Sequence, residues 1–304
     1  MRFGFWPNPR STYDDQKTLG QHVEATGWDG IWLADHFLPD DDDVLAPVHE
    51  AWITMAALAR DVPRVRLGTL VTGNTYRHPA VLANMVATLD NLSDGRAVLG
   101  IGSGWQYNEH VAYGIEYGTI PSRLRKLDEA CQIFKGLFEN DYFDFDGEFY
   151  TLKHAPLVPK PKQEKLPLMI GGGGEKVTLK IAAKYADEWN VWGDVAILKQ
   201  KMAILDRHCE TVGRDPKEIE RCAVALLFLS DDEAFIKRMK RTPLPTPAII
   251  GNINELRDIV AAYQEAGVEE LIVPDFTLGE LIGAGQEKID LLDRFINEVA
   301  TVAS

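Results

Sequence analysis

Residues Val65–Trp105 read VRLGTLVTGNTYRHPAVLANMVATLDNLSDGRAVLGIGSGW. The apolar run Val65–Val71 predicts a buried strand. Pro79–Leu92 places apolar residues at helical spacing, with proline in the first turn where its missing N–H is harmless. Ala97–Ile101 returns to a strand and leads into Gly102-Ser-Gly-Trp105. Strand, helix and strand in close succession predict a parallel β–α–β unit. The rhythm continues outward on both sides. Upstream are strands Arg2–Trp6 and Gly30–Ala34, with helices Asp14–Ala25, closed by Gly27, and His49–Arg60. Downstream are helix Pro121–Phe138, strand Leu168–Ile170, helix Lys176–Ala186, strand Trp189–Val191 and helix Leu198–Val212. Strand Cys222–Leu229, helix Asn254–Ala266, strand Glu270–Val273 and helix Gln286–Ala300 complete the series. Eight such alternations in 304 residues predict an α/β chain folded as one (β/α)8 TIM barrel over 1–304. A doubly wound open sheet is the alternative. The rhythm breaks twice, after the fourth helix and the seventh strand. Asn140–Pro167 carries a hairpin signal at Asp146-Gly147, between Tyr142–Phe145 and Glu148–Leu152, and Ser230–Gly251 is rich in proline.

Composition narrows the partners. Acids outnumber bases 46 to 32, a formal charge of −14. That balance excludes a nucleic-acid partner and an anionic membrane surface, both of which need neutralising Lys and Arg. It leaves room for an anion held by local backbone N–H groups. Cys131, Cys209 and Cys222 are odd in number and widely spaced, so neither a disulfide framework nor a metal ribbon is expected. No signal-peptide h-region is visible, and the longest apolar run, Cys222–Leu229, is far too short to span a bilayer. The expectation is a reduced, cytoplasmic protein acting on a small molecule.

In a TIM barrel the chemistry lies at the C-terminal ends of the strands. Those ends carry Trp6, Asp35-His36-Phe37, Thr72-Gly73-Asn74 with Arg77 and His78, Gly102 to Trp105 with Asn108, Glu109 and His110, Gly171 to Gly174, Trp192 and Asp275-Phe276. Four glycines between a strand and a helix can bring N–H groups to a phosphate, with the helix dipole assisting. Gly102 and Gly104 leave space for a flat ligand. Trp6, Phe37, Trp105 and Trp192 are candidate walls of a substrate pocket. Asn108 can hydrogen-bond a ring edge or a phosphate. Asp35 beside His36 offers acid–base capacity near neutral pH and supplies the catalytic candidates. Asp40 to Asp43 predict a solvated loop that screens the mouth against anions. The seven histidines show no metal-ligand spacing. Two other readings stay open here: a hydrolase pairing Asp35 with Glu109, and a cofactor carrier without catalysis.

Four segments together resemble the luciferase-like monooxygenase superfamily, the flavin- and deazaflavin-dependent TIM barrels. They are Gly30–Phe37, Leu67–Pro79, Asn91–Arg96 with Leu99–Trp105, and Gly171–Gly174. Asp35-His36 and the run Gly102–Gly114 are most similar to the branch using coenzyme F420, a hydride-carrying 5-deazaflavin. The resemblance implies that Asp35 and His36 face the ring. Leu70-Val71 then forms a bulge beneath it, where relatives carry a non-prolyl cis peptide, with Thr72 beside it. Asn108 contacts the cofactor, and Gly172, Gly173 and Gly174 hold its phosphate. It also implies a homodimer. Trp105 stands where some deazaflavin dehydrogenases place an acidic proton donor, which argues against a sugar-phosphate substrate. A reduced-FMN monooxygenase is the alternative within the family.

Overall fold

The computed structural model describes residues 1–41 and 43–303. Eight strands form its centre: β1 (Arg2–Trp6), β2 (Gly30–Leu33), β3 (Arg66–Thr69), β4 (Ala97–Gly102), β5 (Leu168–Gly171), β6 (Glu188–Trp192), β7 (Glu220–Val224) and β8 (Glu270–Pro274). Each pairs in parallel with the next. β8 returns to β1 with Arg2 opposite Glu270 and Trp6 opposite Pro274, so the sheet closes into a (β/α)8 TIM barrel. No helix among the described residues is long and apolar enough to cross a membrane.

The helices around the barrel begin and end where local chemistry dictates. Helix α1 (Tyr13–Thr26) starts at Thr12, whose side chain accepts from Asp15 N–H, and stops at Gly27 with φ of 94°. α2 (Ala51–Asp61) follows, and α3 (Pro79–Leu92) matches its expected bounds, opening with His78 as cap and proline in the first turn. Outside the barrel, helices and strands share one apolar layer that includes Phe5, Leu33, Leu99 and Trp189. Inside it, Trp32, Leu70, Val98, Met169, Cys222, Val224 and Ile272 fill the lumen. Arg2 and Arg66 close the floor, each ion-paired to Glu270, while Arg66 also holds Glu188. Trp32 Nε1 donates to Glu270 Oε1 at 2.8 Å. A Cβ at Gly4 would lie 2.6 Å from that indole nitrogen, so this strand position needs glycine.

Several elements differ from expectation. The apolar run Cys222–Leu229 is two strands, not one. The chain leaves the barrel at Ala225, and Leu226–Leu229 pairs with Ala248–Gly251 in a separate two-stranded sheet. A continuous apolar run cannot reveal a change of partner. The strand expected over Val65–Val71 ends at Thr69 and resumes at Thr72-Gly73, because Leu70-Val71 forms a bulge. Short helix α4 (Tyr107–Tyr113) lies between β4 and the long α5 (Ile120–Glu139). The hairpin after α5 is present, with strands Tyr142–Asp146 and Thr151–Pro156. Its turn is longer than two residues because the Glu129 carboxylate on α5 accepts from three successive N–H groups, Glu148, Phe149 and Tyr150. Next come α6 (Thr178–Tyr185), α7 (Val195–Val212), α8 (Glu233–Met239) within the proline-rich excursion, α9 (Ile253–Glu265) and α10 (Gln286–Arg294). α10 widens into a π turn over Phe295–Val299 instead of continuing to Ala300 as an α-helix.

Candidate active site

A cavity of about 810 Å³ opens at the C-terminal ends of the strands. Its floor is the bulge Leu70-Val71, joined by a cis peptide bond as the resemblance implied. Leu70 N–H donates to Leu33 O at 2.8 Å. Thr69 and Thr72 brace the bulge below, linked hydroxyl to hydroxyl at 3.1 Å, with Trp52 Nε1 donating to Thr72. The Val71 side chain projects between β4 and β5. A Cβ at Gly171 would lie 2.8 and 2.9 Å from its methyls, and one at Gly102 would lie 3.0 Å away. The glycines therefore let the Val71 side chain lie between the strands as a shelf at the cavity floor.

His36 stands at the edge of this shelf. Its Nδ1 lies 2.9 Å from Glu109 Oε1, and the Tyr76 hydroxyl donates to the same oxygen. Glu109 Oε2 accepts from Phe37 N–H at 2.8 Å and Leu38 N–H at 3.3 Å. Glu109 is fully buried. Burial opposes its ionisation, but hydrogen bonds from His36, Tyr76 and Phe37 outweigh it and hold the carboxyl below its ordinary range. Burial and the bond to Glu109 push the Tyr76 phenol up, so it stays a donor. An ionised carboxylate only accepts, so His36 Nδ1 carries a proton. The opposite ring edge, Nε2, has no hydrogen-bond partner among the described residues and belongs to a residue lining the cavity. Trp105 packs edge-on against the imidazole at 5.4 Å between centroids.

Across the barrel, Gly171, Gly172 and Gly173 line the cavity. Gly172 has φ of 124° and donates its N–H to Asn190 O at 2.9 Å. Lys201 lies beside this turn, its Cε 3.6 Å from a Cβ placed at Gly173, and its ammonium is ion-paired to Glu175 at 2.8 Å. The remaining wall is aromatic, with Trp6 packed on Trp192 at 5.8 Å and on Phe276 at 5.1 Å. Asp275 anchors that wall through Lys288 at 2.8 Å, and burial pushes its carboxyl up to about 6. Trp6 Nε1 and Asn190 Nδ2 are buried donors without an acceptor among the described residues.

Several expected site residues lie elsewhere. Asp35 is buried beneath the mouth, held by both Arg77 nitrogens at 2.6 and 3.1 Å, and does not line the cavity. Phe37 packs on Tyr76 and Tyr113 instead. Asn108 spends its amide on Pro39 O and on Glu109 N–H, both at 2.8 Å, which fixes the loop after β2. Gly174 begins the approach to α6, its carbonyl accepting from Leu179 N–H. Asp35 is tied to Arg77 and Glu109 to His36 and Tyr76, and neither carboxyl lines the cavity, so they do not form the carboxylate pair a hydrolase would need. Sequence reasoning missed Tyr76 and Asn190, and assigned Glu109 to the wrong chemistry.

The luciferase-like monooxygenase family model matches residues 1–244. The chain belongs to that family. It is 38% identical over 166 residues to an F420-dependent glucose-6-phosphate dehydrogenase of Amycolatopsis mediterranei, covering 54% of this chain and 47% of the relative. It is 34% identical over 217 residues to the protein of the same name from Kineococcus radiotolerans, covering 70% and 63%. The matched regions thus span about half to three fifths of those relatives' lengths. The F420-dependent secondary alcohol dehydrogenase solved with an F420–acetone adduct superposes with a TM-score of 0.83 at 21% identity, covering 99% of this chain and 98% of that one. That likeness shows the shared barrel fold.

Proposed function

We propose that this family member is an F420-dependent oxidoreductase that binds the deazaflavin across the barrel mouth beside a small organic substrate. The observation that carries this reading is the cavity floored by the Val71 shelf, with His36 and the glycine turn both on its lining. It fits a flat tricyclic ring at one end and a phosphate at the other. Gly173 would offer its backbone N–H to the phosphate, the Gly172 N–H being engaged by Asn190 O, and Lys176 and Lys201 would meet the anionic tail. Leu70 and Val71 would support the ring. When bound, the deazaflavin supplies hydride-transfer chemistry. The chain's own contribution is position, exclusion of water by Trp6, Trp105, Trp192 and Phe276, and a proton site at His36 Nε2. Glu109 and Tyr76 fix that nitrogen's direction. Asp35 acts below the mouth, as the anchor for Arg77.

The relatives' name supports F420, while the family as a whole also contains monooxygenases, and the shorter FMN would use the same shelf. Fluorescence titration decides between them. F420 should be quenched on binding with a dissociation constant of roughly 1–10 μM, with FMN competing poorly. Equal or tighter FMN binding refutes the F420 reading in favour of the monooxygenase. We also propose a homodimer packed through α2 and α3, whose Ile53, Val81 and Leu92 are exposed. Sedimentation at the single-chain mass of 34.0 kDa would refute it.

A further inference from the structure

We propose that the substrate side of this cavity selects an uncharged, mostly apolar molecule carrying an acceptor oxygen, and excludes phosphorylated ones. The inference rests on the F420 reading above and assigns its substrate class. It departs from the phosphorylated sugar named for the two dehydrogenase relatives.

Charge is the first ground. Among the described residues lining the cavity, Arg10 is the one Lys or Arg, and its guanidinium is ion-paired to Asp41. Asp40 lies on the same rim, so Arg10, Asp40 and Asp41 together leave it at 1 − 2 = −1. This acidic rim follows β1 and β2. The glycine turn, with Lys201 beside it, follows β5, on the opposite side of the eight-stranded ring. A lysine therefore stands at one end of the cavity and a net negative charge at the other. An anionic tail is drawn to one end, and a phosphate entering at the other meets two carboxylates and no free cation. Like charges brought together oppose its entry.

The walls are the second ground. Trp6, Trp192 and Phe276 present one continuous aromatic surface, extended by Val48 and Leu281. Apolar surface of this kind rewards a ligand that sheds little hydration on entry. The third ground is the pair of unsatisfied buried donors, Trp6 Nε1 and Asn190 Nδ2. A donor buried without an acceptor is costly, and both belong to residues lining the cavity, so a small turn of either side chain toward a ligand's neutral oxygen is favoured. A hydroxyl or carbonyl supplies that oxygen without bringing a charge.

The test is calorimetric titration of the F420-loaded protein, with loading confirmed first by quenching. Cyclohexanol and cyclohexanone are the neutral probes, glucose 6-phosphate and inorganic phosphate the anionic ones. At least one neutral probe should bind saturably, and the anions should give no saturable heat up to about 10 mM. Leu281→Lys, at a half-exposed rim position, should raise affinity for glucose 6-phosphate about tenfold or more by supplying the missing cation. Tighter binding of glucose 6-phosphate than of either neutral probe overturns the proposal, as does binding of neither neutral probe. A protein that takes FMN and not F420 fails the preceding section's reading instead, and the same titrations on its FMN-loaded form still decide the substrate class.

Discussion

Replacing Glu109 by glutamine should reverse the protonation pattern of His36. The carboxylate now accepts four hydrogen bonds, from His36, Tyr76, Phe37 N–H and Leu38 N–H. Glutamine keeps the shape but brings one acceptor and one donating end. The two backbone N–H groups cannot rotate, so the amide oxygen should turn toward them. The amide NH2 then faces His36 Nδ1, which must become an acceptor. The imidazole proton moves to Nε2, and Tyr76 swings its hydroxyl away. Four charge-assisted bonds become neutral or are lost. At a difference of roughly 0.5–1 kcal/mol each, the cost is about 2–4 kcal/mol. For a chain of this size that lowers Tm by about 4–8 °C. The proton site on the cavity side is now blocked by its own hydrogen, and turnover should fall about 10²–10³-fold. F420 affinity should hold within about threefold, because Glu109 does not line the cavity. Long-range proton–nitrogen correlation spectra of histidine-labelled protein report which ring nitrogen carries the proton. Calorimetry and quenching supply the other two values. A variant that keeps its proton on Nδ1 and its turnover within twofold would refute the claim that Glu109 orients His36.

Other consequences follow from the same contacts. His36→Ala should reduce turnover about 10²–10⁴-fold and leave F420 quenching nearly unchanged; loss of binding instead would make the imidazole a cofactor support, not a proton site. Gly171→Ala drives a Cβ to within 2.9 Å of both Val71 methyls, so the shelf must shift. Overpacking of this kind costs roughly 1–3 kcal/mol, and F420 affinity should weaken about tenfold. Gly285→Ala, whose Cβ meets nothing within 4 Å, should change neither. Burial, reinforced by Glu270, pushes Glu188 up to about 7 despite Arg66, and burial pushes Asp275 up to about 6. Between about pH 4 and those values the folded chain holds protons that the unfolded chain has released, so these two groups make stability fall as pH rises. Glu188→Gln cannot ionise and should flatten the fall of Tm between about pH 5 and 8; an unchanged slope would place the titration elsewhere.

The barrel was legible because each turn of the chain obeyed local rules. Gly27 and Gly213 end their helices in left-handed geometry, and Pro79 opens α3. The elements that escaped detection depend on distant partners. Leu226–Leu229 is apolar whether it stays in the barrel or pairs with Ala248–Gly251, and only the second strand decides. α4 is short, with two buried residues, Glu109 and His110, and its polar face reads as loop.

Site membership was readable to a greater depth than strand ends alone allow, because side chains on a strand alternate between its faces. Trp32 lies in the lumen and Leu33 in the outer layer. Counting by two from Trp32 sends Ala34 and His36 into the cavity and turns Asp35 and Phe37 away, as observed. The same count from Val98 brings Gly100, Gly102 and Gly104 inward. From Met169 it selects Gly171 and Gly173, and from Trp192 it selects Asn190. The same count turns Asp35 away without any knowledge of its ion pair to Arg77, although sequence reasoning named it a catalytic candidate. The count stops working where the backbone leaves the extended state. At the Leu70-Val71 bulge both side chains reach the cavity. Gly172, with φ of 124°, breaks it again. Asn108 and Glu109 lie on a helix, where the period is no longer two. Glu109 therefore meets His36 through a contact 73 residues apart in sequence that no local pattern encodes. Strand parity identifies the lining of such a barrel, while the groups that orient its reactive atom come from the connections between strands.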